Sequence, residues 1–443
     1  MSFLPQRNEV FIMTSNGPIF SKLMEDYDEG NDKYGVSGKR LAYRLNEIAQ
    51  IGLTEENGSN RPGFSKGELA AKRLVAKWMQ EAGLEVSMDG AGNMIGRLEG
   101  SEPHLPTIIS GSHVDSVPNG GHFDGTLGVL SALEVVEAWR ATGYRPRKNY
   151  EIMIFSDEEG ARFNGGLLGS QALIGDYQME QLTKLVSVDG LFFEEVLHEV
   201  GLSKESFQQA LRDFSNVELF IEVHIEQGKR LERAGLPCGI VDGIAGPCWL
   251  EVTFTGTAGH AGNTPMNDRK DALVAASEFI TNVHTLPRTV NDTAVATIGK
   301  MHISPNGVNV IPGEVKLYVD IRDIYEETRN TLVEKVIFEA ERVADKHQIT
   351  LTYSKTMETP PVPIKEEKQR LLEEVLLEHS IEPMRIPSGA GHDAMIIGQK
   401  TDIAMLFVKS INGISHNPLE WSELNDCVQA VQVLKRFIEK MNE

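Results

Sequence analysis

Cysteine is scarce in this chain of 443 residues: Cys238, Cys248 and Cys427 are the only three, and no two form a C-x-x-C pair. That argues against a disulfide-stapled scaffold and against a thiolate zinc site. Any metal has to be held by histidines and carboxylates. Positive charge is also short, with 43 Lys plus Arg against 64 Asp plus Glu and a net charge of −21. Nucleic acids and anionic membrane surfaces need concentrated positive charge, so neither is expected as a partner. A small anionic substrate needs only one local Arg. No apolar run approaches the length of a membrane span. The opening MSFLPQRNEVFIMTSNGPIF has no basic start leading into an unbroken apolar core, so no secretory signal is expected and the cytoplasm is the expected compartment.

Several familiar motifs are missing as well. There is no GKS or GKT phosphate loop, no internal repeat and no low-complexity tract, and DGAGNMIG lacks the dinucleotide fingerprint spacing. The stretch GFSKG, residues 63–67, has the letters of a G-x-S-x-G elbow. That elbow needs a buried strand before it, and here the polar ENGSNRP precedes it. Ser65 reads instead as a helix cap, with Glu68 completing an S-x-x-E capping box.

What is present is ample core material, 41% hydrophobic residues, in a length that suggests two or three domains. Residues 1–36 read as an irregular N-terminal arm. After it, SGKRLAYRLNEIAQIGL places Leu41, Leu45 and Ile48 at helical spacing. Short buried strands then alternate with helices: PTIISGS, YEIMIFS and VELFIEVHI, and near the end IAMLFVKS. That rhythm predicts an α/β domain with a mostly parallel sheet and helices on both faces. From about residue 243 the strands become alternating and half-exposed, in CWLEVTFTGT, TAVATIGKMHI and GEVKLYVDIRD, with two helices between them. This predicts a smaller α+β domain, a sheet covered on one face. The expected organisation is a discontinuous catalytic domain, 37–242 and 358–443, with residues 243–357 inserted.

Ligands in α/β sheets gather at the carboxyl ends of strands. PTIISGS runs into His113 and Asp115, YEIMIFS into Asp157, Glu158 and Glu159, and VELFIEV into His224 and Glu226; IAMLFVKS is followed by INGISHNP with His416. DEEG alone is an ordinary exposed turn, and His113 alone an ordinary buried or surface histidine. Four such strand ends on one sheet instead suit a pair of divalent ions, which accept mixed imidazole and carboxylate donors. Asp115 is placed to set the tautomer of His113, Asp124 to bridge two ions from its glycine-flanked turn, and one DEEG carboxylate to act as general base. In the smaller domain, His260 lies between glycines where it can reach a substrate oxyanion. Arg322, near Asn309, can fork a substrate carboxylate or form a surface ion pair. The loop PSGAGHDA brings flexible backbone near a ligand.

The ordered set GSHVDSVPNGGHFDG, DEEGARF, HIEQG, GHAGNTPM, NGVNVIPG, SGAGHDA and GISHNP resembles the M20-type metal-dependent amidohydrolases, from about residue 40 onward. Within them it resembles the branch of N-carbamoyl-L-amino acid hydrolases, β-ureidopropionases and allantoate amidohydrolases. The resemblance implies two divalent ions, zinc, manganese, cobalt or nickel. His113, Asp124 and His224 would bind one and Asp124, Glu159 and His416 the other. It implies Glu158 as general base, Asp115 as orienter and His260 as oxyanion donor. Gln227, Asn309, Arg322 and the loop Gly389, Ala390 and Gly391 would hold a small ureido acid. A ferredoxin-like inserted domain would serve as lid and homodimer surface. NGGLLGS after EEGARF, where allantoate enzymes tend to have proline, leans toward carbamoyl amino acids, giving L-amino acid, carbon dioxide and ammonia. Asn263 departs from the usual Thr in GHAGTTP. Allantoate hydrolysis, an aminoacylase or dipeptidase activity, and a catalytically silent dimerisation protein are the alternatives.

Overall fold

A computed structural model describes residues 17–443, which divide into two compact units. The first comprises everything up to Ile240, Glu367–Met384 and Ile396–Glu443; the second comprises Val241–Glu366 and Arg385–Met395. Of the expected arm, residues 1–16 lie outside the described residues. Residues 17–36 are not the irregular arm expected: α1 (Pro18–Glu25) starts with a proline at its first turn and buries Ile19 and Leu23 in the main core.

The first unit is built on a mixed sheet of β1 (Glu85–Met88), β2 (Met94–Leu98), β3 (Thr107–His113), β4 (Tyr150–Phe155), β5 (Val217–Ile225), the first residues, Cys238 to Ile240, of β6 (Cys238–Ile244), and β7 (Asp402–Val408). Their order is β1-β2-β4-β3-β5-β7-β6. The four central strands, β4, β3, β5 and β7, are parallel, whereas the flanks are antiparallel. The sheet is therefore mixed rather than mostly parallel. The reason at one flank is local: β1 and β2 are a hairpin whose turn is closed by Asp89, which accepts from the Ala91 and Asn93 amides. Only the central strands need crossover helices. All of β3 and β4 is buried, as the continuous apolar runs require.

Helix α2 (Gly38–Ala49) follows, and α3 (Lys66–Glu81) begins at Ser65, whose hydroxyl accepts from the Glu68 amide. The return half of the expected capping box does not form. Glu68 reaches past the cap to the Phe64 amide, and the Ser65 amide bonds the Pro62 carbonyl instead. Helix α4 (Thr126–Thr142) is apolar on nearly every side and correspondingly buried. It packs on β3 and β5 and against α5 (Leu424–Met441). Short helices between residues 168 and 208 close over Phe64, Phe163, Phe193 and Phe207, which meet mostly edge to face.

In the second unit the strands Gly246–Thr255, Val295–Ser304, Glu314–Asp323 and Thr350–Glu358 form an antiparallel sheet in the spatial order 4-1-3-2. With helices Ala272–Val283 and Glu326–His347 the chain order is β-α-β-β-α-β, a split βαβ. The helices bury one face, where Leu250, Val252, Phe254, Leu317 and Val319 alternate inward. The fourth strand was not foreseen, because its residues are almost all exposed and Lys355 interrupts the alternation of Leu351, Tyr353 and Met357.

Candidate metal centre

Three parallel strands and one following loop deliver their polar residues to a single edge of the first unit. His113 is the last residue of β3, His224 lies near the end of β5, and Glu158 and Glu159 follow β4. His416, in the loop after β7, has a left-handed backbone with φ 54°. Asp124 comes from the turn before α4. That turn needs Gly125, whose φ is +60°; a Cβ there would also sit 2.3 Å from His113 Nε2.

Asp124 is the centre of the cluster. Its Oδ1 lies 3.0 Å from His224 Nε2 and 3.4 Å from His113 Nε2, while its Oδ2 lies 3.4 Å from His416 Nε2. His416 Nε2 is in turn 3.2 Å from Glu159 Oε2. Two triads result, His113–Asp124–His224 and Asp124–Glu159–His416, each with ligand atoms within 4.8 Å of one another. Glu158 Oε2 stands 3.6 Å from His113 Nε2.

The donor chemistry fits cations. His224 Nδ1 bonds the Ile225 carbonyl at 3.0 Å, and His113 Nδ1 faces the backbone and carboxylate oxygens of Asp115 at 3.2 and 3.4 Å. With the proton on Nδ1, each Nε2 lone pair points at a carboxylate lone pair, which only a shared cation or a proton reconciles. His113 Nε2 is buried without a hydrogen-bond partner. Electrostatics carry the same mark. Burial opposes protonation of His113, yet Glu158, Asp115 and Asp124 raise its pKa well above the ordinary imidazole value. Burial and the neighbouring Asp124 push Glu159 up to about 8. The cluster has more negative charge than its side chains neutralise.

Asp115 does more than orient His113. Its Oδ1 accepts from the Glu158 amide at 3.3 Å and its Oδ2 from the Glu159 amide at 3.1 Å. Gln227, expected at the substrate, donates to Asp124 Oδ2 at 2.8 Å. Glu226 lies outside both triads and accepts from the Arg230 and Leu231 amides at the start of the short helix Arg230–Ala234. Two residues went unnoticed in the sequence. Buried Glu420 accepts from the Phe123 and Asp124 amides at 2.9 and 3.1 Å and so fixes the turn that carries Asp124, and Ser415 donates to Asp124 Oδ2 at 2.9 Å. Burial and Asp124 raise Glu420 to about 7. Its surroundings, NPLEWSE, read as an ordinary polar loop, and no spacing ties it to Asp124.

The remaining expected residues belong to the second unit. His260 Nδ1 accepts from the Gly262 and Asn263 amides, which leaves the proton on an outward Nε2. The Asn309 carbonyl accepts from the neighbouring Ala261 amide. Arg322 is engaged on one edge by Asp320, with Nε–Oδ1 2.9 Å and Nη2–Oδ2 2.7 Å, and its Nη1 donates to the Gly389 carbonyl at 2.8 Å. It is thus both an ion pair and tied to the glycine loop. Ser388 braces Gly389, Ala390 and Gly391 through the Ala390 carbonyl and His392 Nε2, each at 2.9 Å.

A cluster of imidazoles and shared carboxylates at parallel strand ends defines the class: α/β enzymes that hold divalent cations in a nitrogen and oxygen cage. Residues 109–440 match peptidase family M20/M25/M40, and the chain belongs to that family, in its hydantoinase/carbamoylase branch. An N-carbamoyl-L-amino-acid amidohydrolase of a Pseudomonas species is 40% identical over 407 residues, covering 91% of this chain and 98% of that protein. An allantoate amidohydrolase of Bacillus subtilis is 34% identical, covering 89% and 95%. The crystal structure of a hydantoinase/carbamoylase family amidase from Burkholderia multivorans superposes with a TM-score of 0.85 at 32% identity, over 92% of this chain and 98% of that one.

Proposed function

We propose that this protein hydrolyses the ureido C–N bond of N-carbamoyl-L-amino acids, using two divalent cations. The observation that carries the reading is Asp124, which offers one oxygen to His113 and His224 and the other to His416, beside Glu159. Ions held there would lower the pKa of a water and polarise the carbamoyl oxygen. Glu158, on the rim of the cluster, takes the proton from the attacking water and returns it to the amino nitrogen as the C–N bond breaks. The products are the L-amino acid and carbamic acid, which falls to carbon dioxide and ammonia. Asp115 holds His113 and the 158–159 amides in register for this transfer.

His260, with its proton on Nε2, would donate to the developing oxyanion, and Arg322 would hold the α-carboxylate with the Nη hydrogens that Asp320 and the Gly389 carbonyl do not take. Gln227 serves by orienting Asp124. The second unit would act as a lid and as the surface through which two copies pair in the cytoplasm. The choice of a carbamoyl amino acid over allantoate rests on the higher identity to the carbamoyl enzyme, 40% against 34%, and on NGGLLGS in place of a proline after EEGARF. Ammonia release by the Mn²⁺-loaded enzyme from N-carbamoyl-L-methionine, N-carbamoyl-β-alanine and allantoate decides the matter. Turnover of the first above the others is expected. Preference for allantoate would replace the substrate but leave the metal centre, and no release from any would end the ureido reading.

A further inference from the structure

The turn that carries Glu158 and Glu159 is held in an unusual way. Asp157, between β4 and Glu158, has a left-handed backbone with φ 52°, a conformation uncommon outside glycine that Asp and Asn enter more readily than other side chains. Three successive amides of this turn point at carboxylates. Those of Glu158 and Glu159 are taken by Asp115, and that of Asp157 donates to Glu68 Oε1 at 3.2 Å. Glu68 comes from the first turn of α3 and is 2% exposed. Its Oε2 accepts from the Phe64 amide at 2.6 Å, and its Oε1 also pairs with Lys72 Nζ at 2.6 Å. Lys72 is equally buried and spends its other donors on Ser156 Oγ, at the end of β4, and on the Gly92 carbonyl. The loop between Arg61 and Glu68 closes against the turn: a Cβ on Gly63 would lie 1.9 Å from Asp157 Oδ1.

We infer that Glu68 is a positioning residue for the reaction: by gripping the Asp157 amide it sets the direction in which Glu158 and Glu159 leave β4. The inference rests on the roles proposed for those two residues. A buried ion pair is a poor source of stability, since apolar residues of similar volume replace such pairs at little cost. The presence of this pair, with all three donors of Lys72 satisfied and both Glu68 oxygens occupied, is explained by the geometry it imposes on the turn.

Two double variants isolate residue 68. E68M/K72M fills the volume without an acceptor, whereas E68Q/K72M returns one acceptor oxygen; both lose the Lys72 contacts equally. S65A removes the cap of the same helix without touching Asp157. For E68M/K72M we expect kcat at least about tenfold lower, with KM within about twofold, because small misplacements of a base are costly. Its affinity for the second Mn²⁺, read by calorimetric titration without substrate, falls about tenfold, as when an outer partner of a ligand is lost. E68Q/K72M lies between it and the parent, and S65A loses thermal stability but keeps the parent kcat. Wild-type kcat and Mn²⁺ affinity in E68M/K72M would overturn the inference. So would equal losses in the two double variants, which would make the pair a structural brace. A fully active E158Q, by contrast, would remove the proposed base and leave the Glu68 comparison to be read on Mn²⁺ affinity alone.

Discussion

Each side chain at the centre has its job set by what stands behind it. Glu158 is next to Glu159 in sequence, but Glu159 meets His416 at 3.2 Å while Glu158 stands 3.6 Å from His113 at the rim. Replacing Glu158 by Gln keeps its shape and removes its basicity. Turnover should fall by about 10²-fold or more while metal content, measured by inductively coupled plasma mass spectrometry, stays at the parent value. Turnover within a few-fold of the parent would move the base elsewhere. Gly125 is constrained twice, by a positive φ and by the imidazole of His113. G125A should fold with less bound metal than the parent, since the new methyl group competes with His113 for its place. Full metal loading in that variant would show that the turn can yield.

Elements carry the site by ending where they do. Strands β3, β4 and β5 are buried along the stretches that lead to their clustered histidines and carboxylates, so their ends are held by packing rather than by the polar contacts at the tip. Phe220 of β5 is fully buried and meets Phe155 of β4 edge to face at 5.6 Å. F220A should cost about 3–5 kcal/mol, read as a lower urea midpoint, because it leaves a buried cavity beside the Phe155 ring. If the midpoint does not move, β5 is not the brace described here. Helix α3 illustrates how local signals and tertiary demands diverge. Ser65 caps it as S-x-x-E suggests, but Glu68 is taken by the Phe64 and Asp157 amides, which no pattern within the helix foretells.

At the scale of the molecule, the ligand-bearing unit is assembled from both ends of the chain, with His416 arriving about 190 residues after His224. The proposed dimer gives a test that needs no structure of the assembly. Inactive E158Q and inactive H260A are unfolded together, mixed and reassembled. If His260 serves the partner's site, the mixture recovers about one quarter of the parent activity, since half the dimers are mixed and each has one complete site. No recovery would place His260 with its own subunit's centre.

Much of this was legible in the residues themselves. Charge, cysteine count and the ligand types at four strand ends pointed to a nitrogen and oxygen metal cage, because side-chain chemistry is local and strand ends in α/β sheets are where such residues collect. Which contacts each residue makes was not legible. Glu420 on the Asp124 turn, Gln227 on Asp124 itself, Arg322 on the Gly389 carbonyl, and Glu68 behind Asp157 all depend on pairings across the fold. Periodicity speaks of neighbours three or four residues apart, whereas these partners are brought together only once the sheet and helices have packed. The sequence by itself determined the chemistry available; the tertiary structure decided which carboxylate faces which imidazole, because burial leaves each polar group only the partners within its reach.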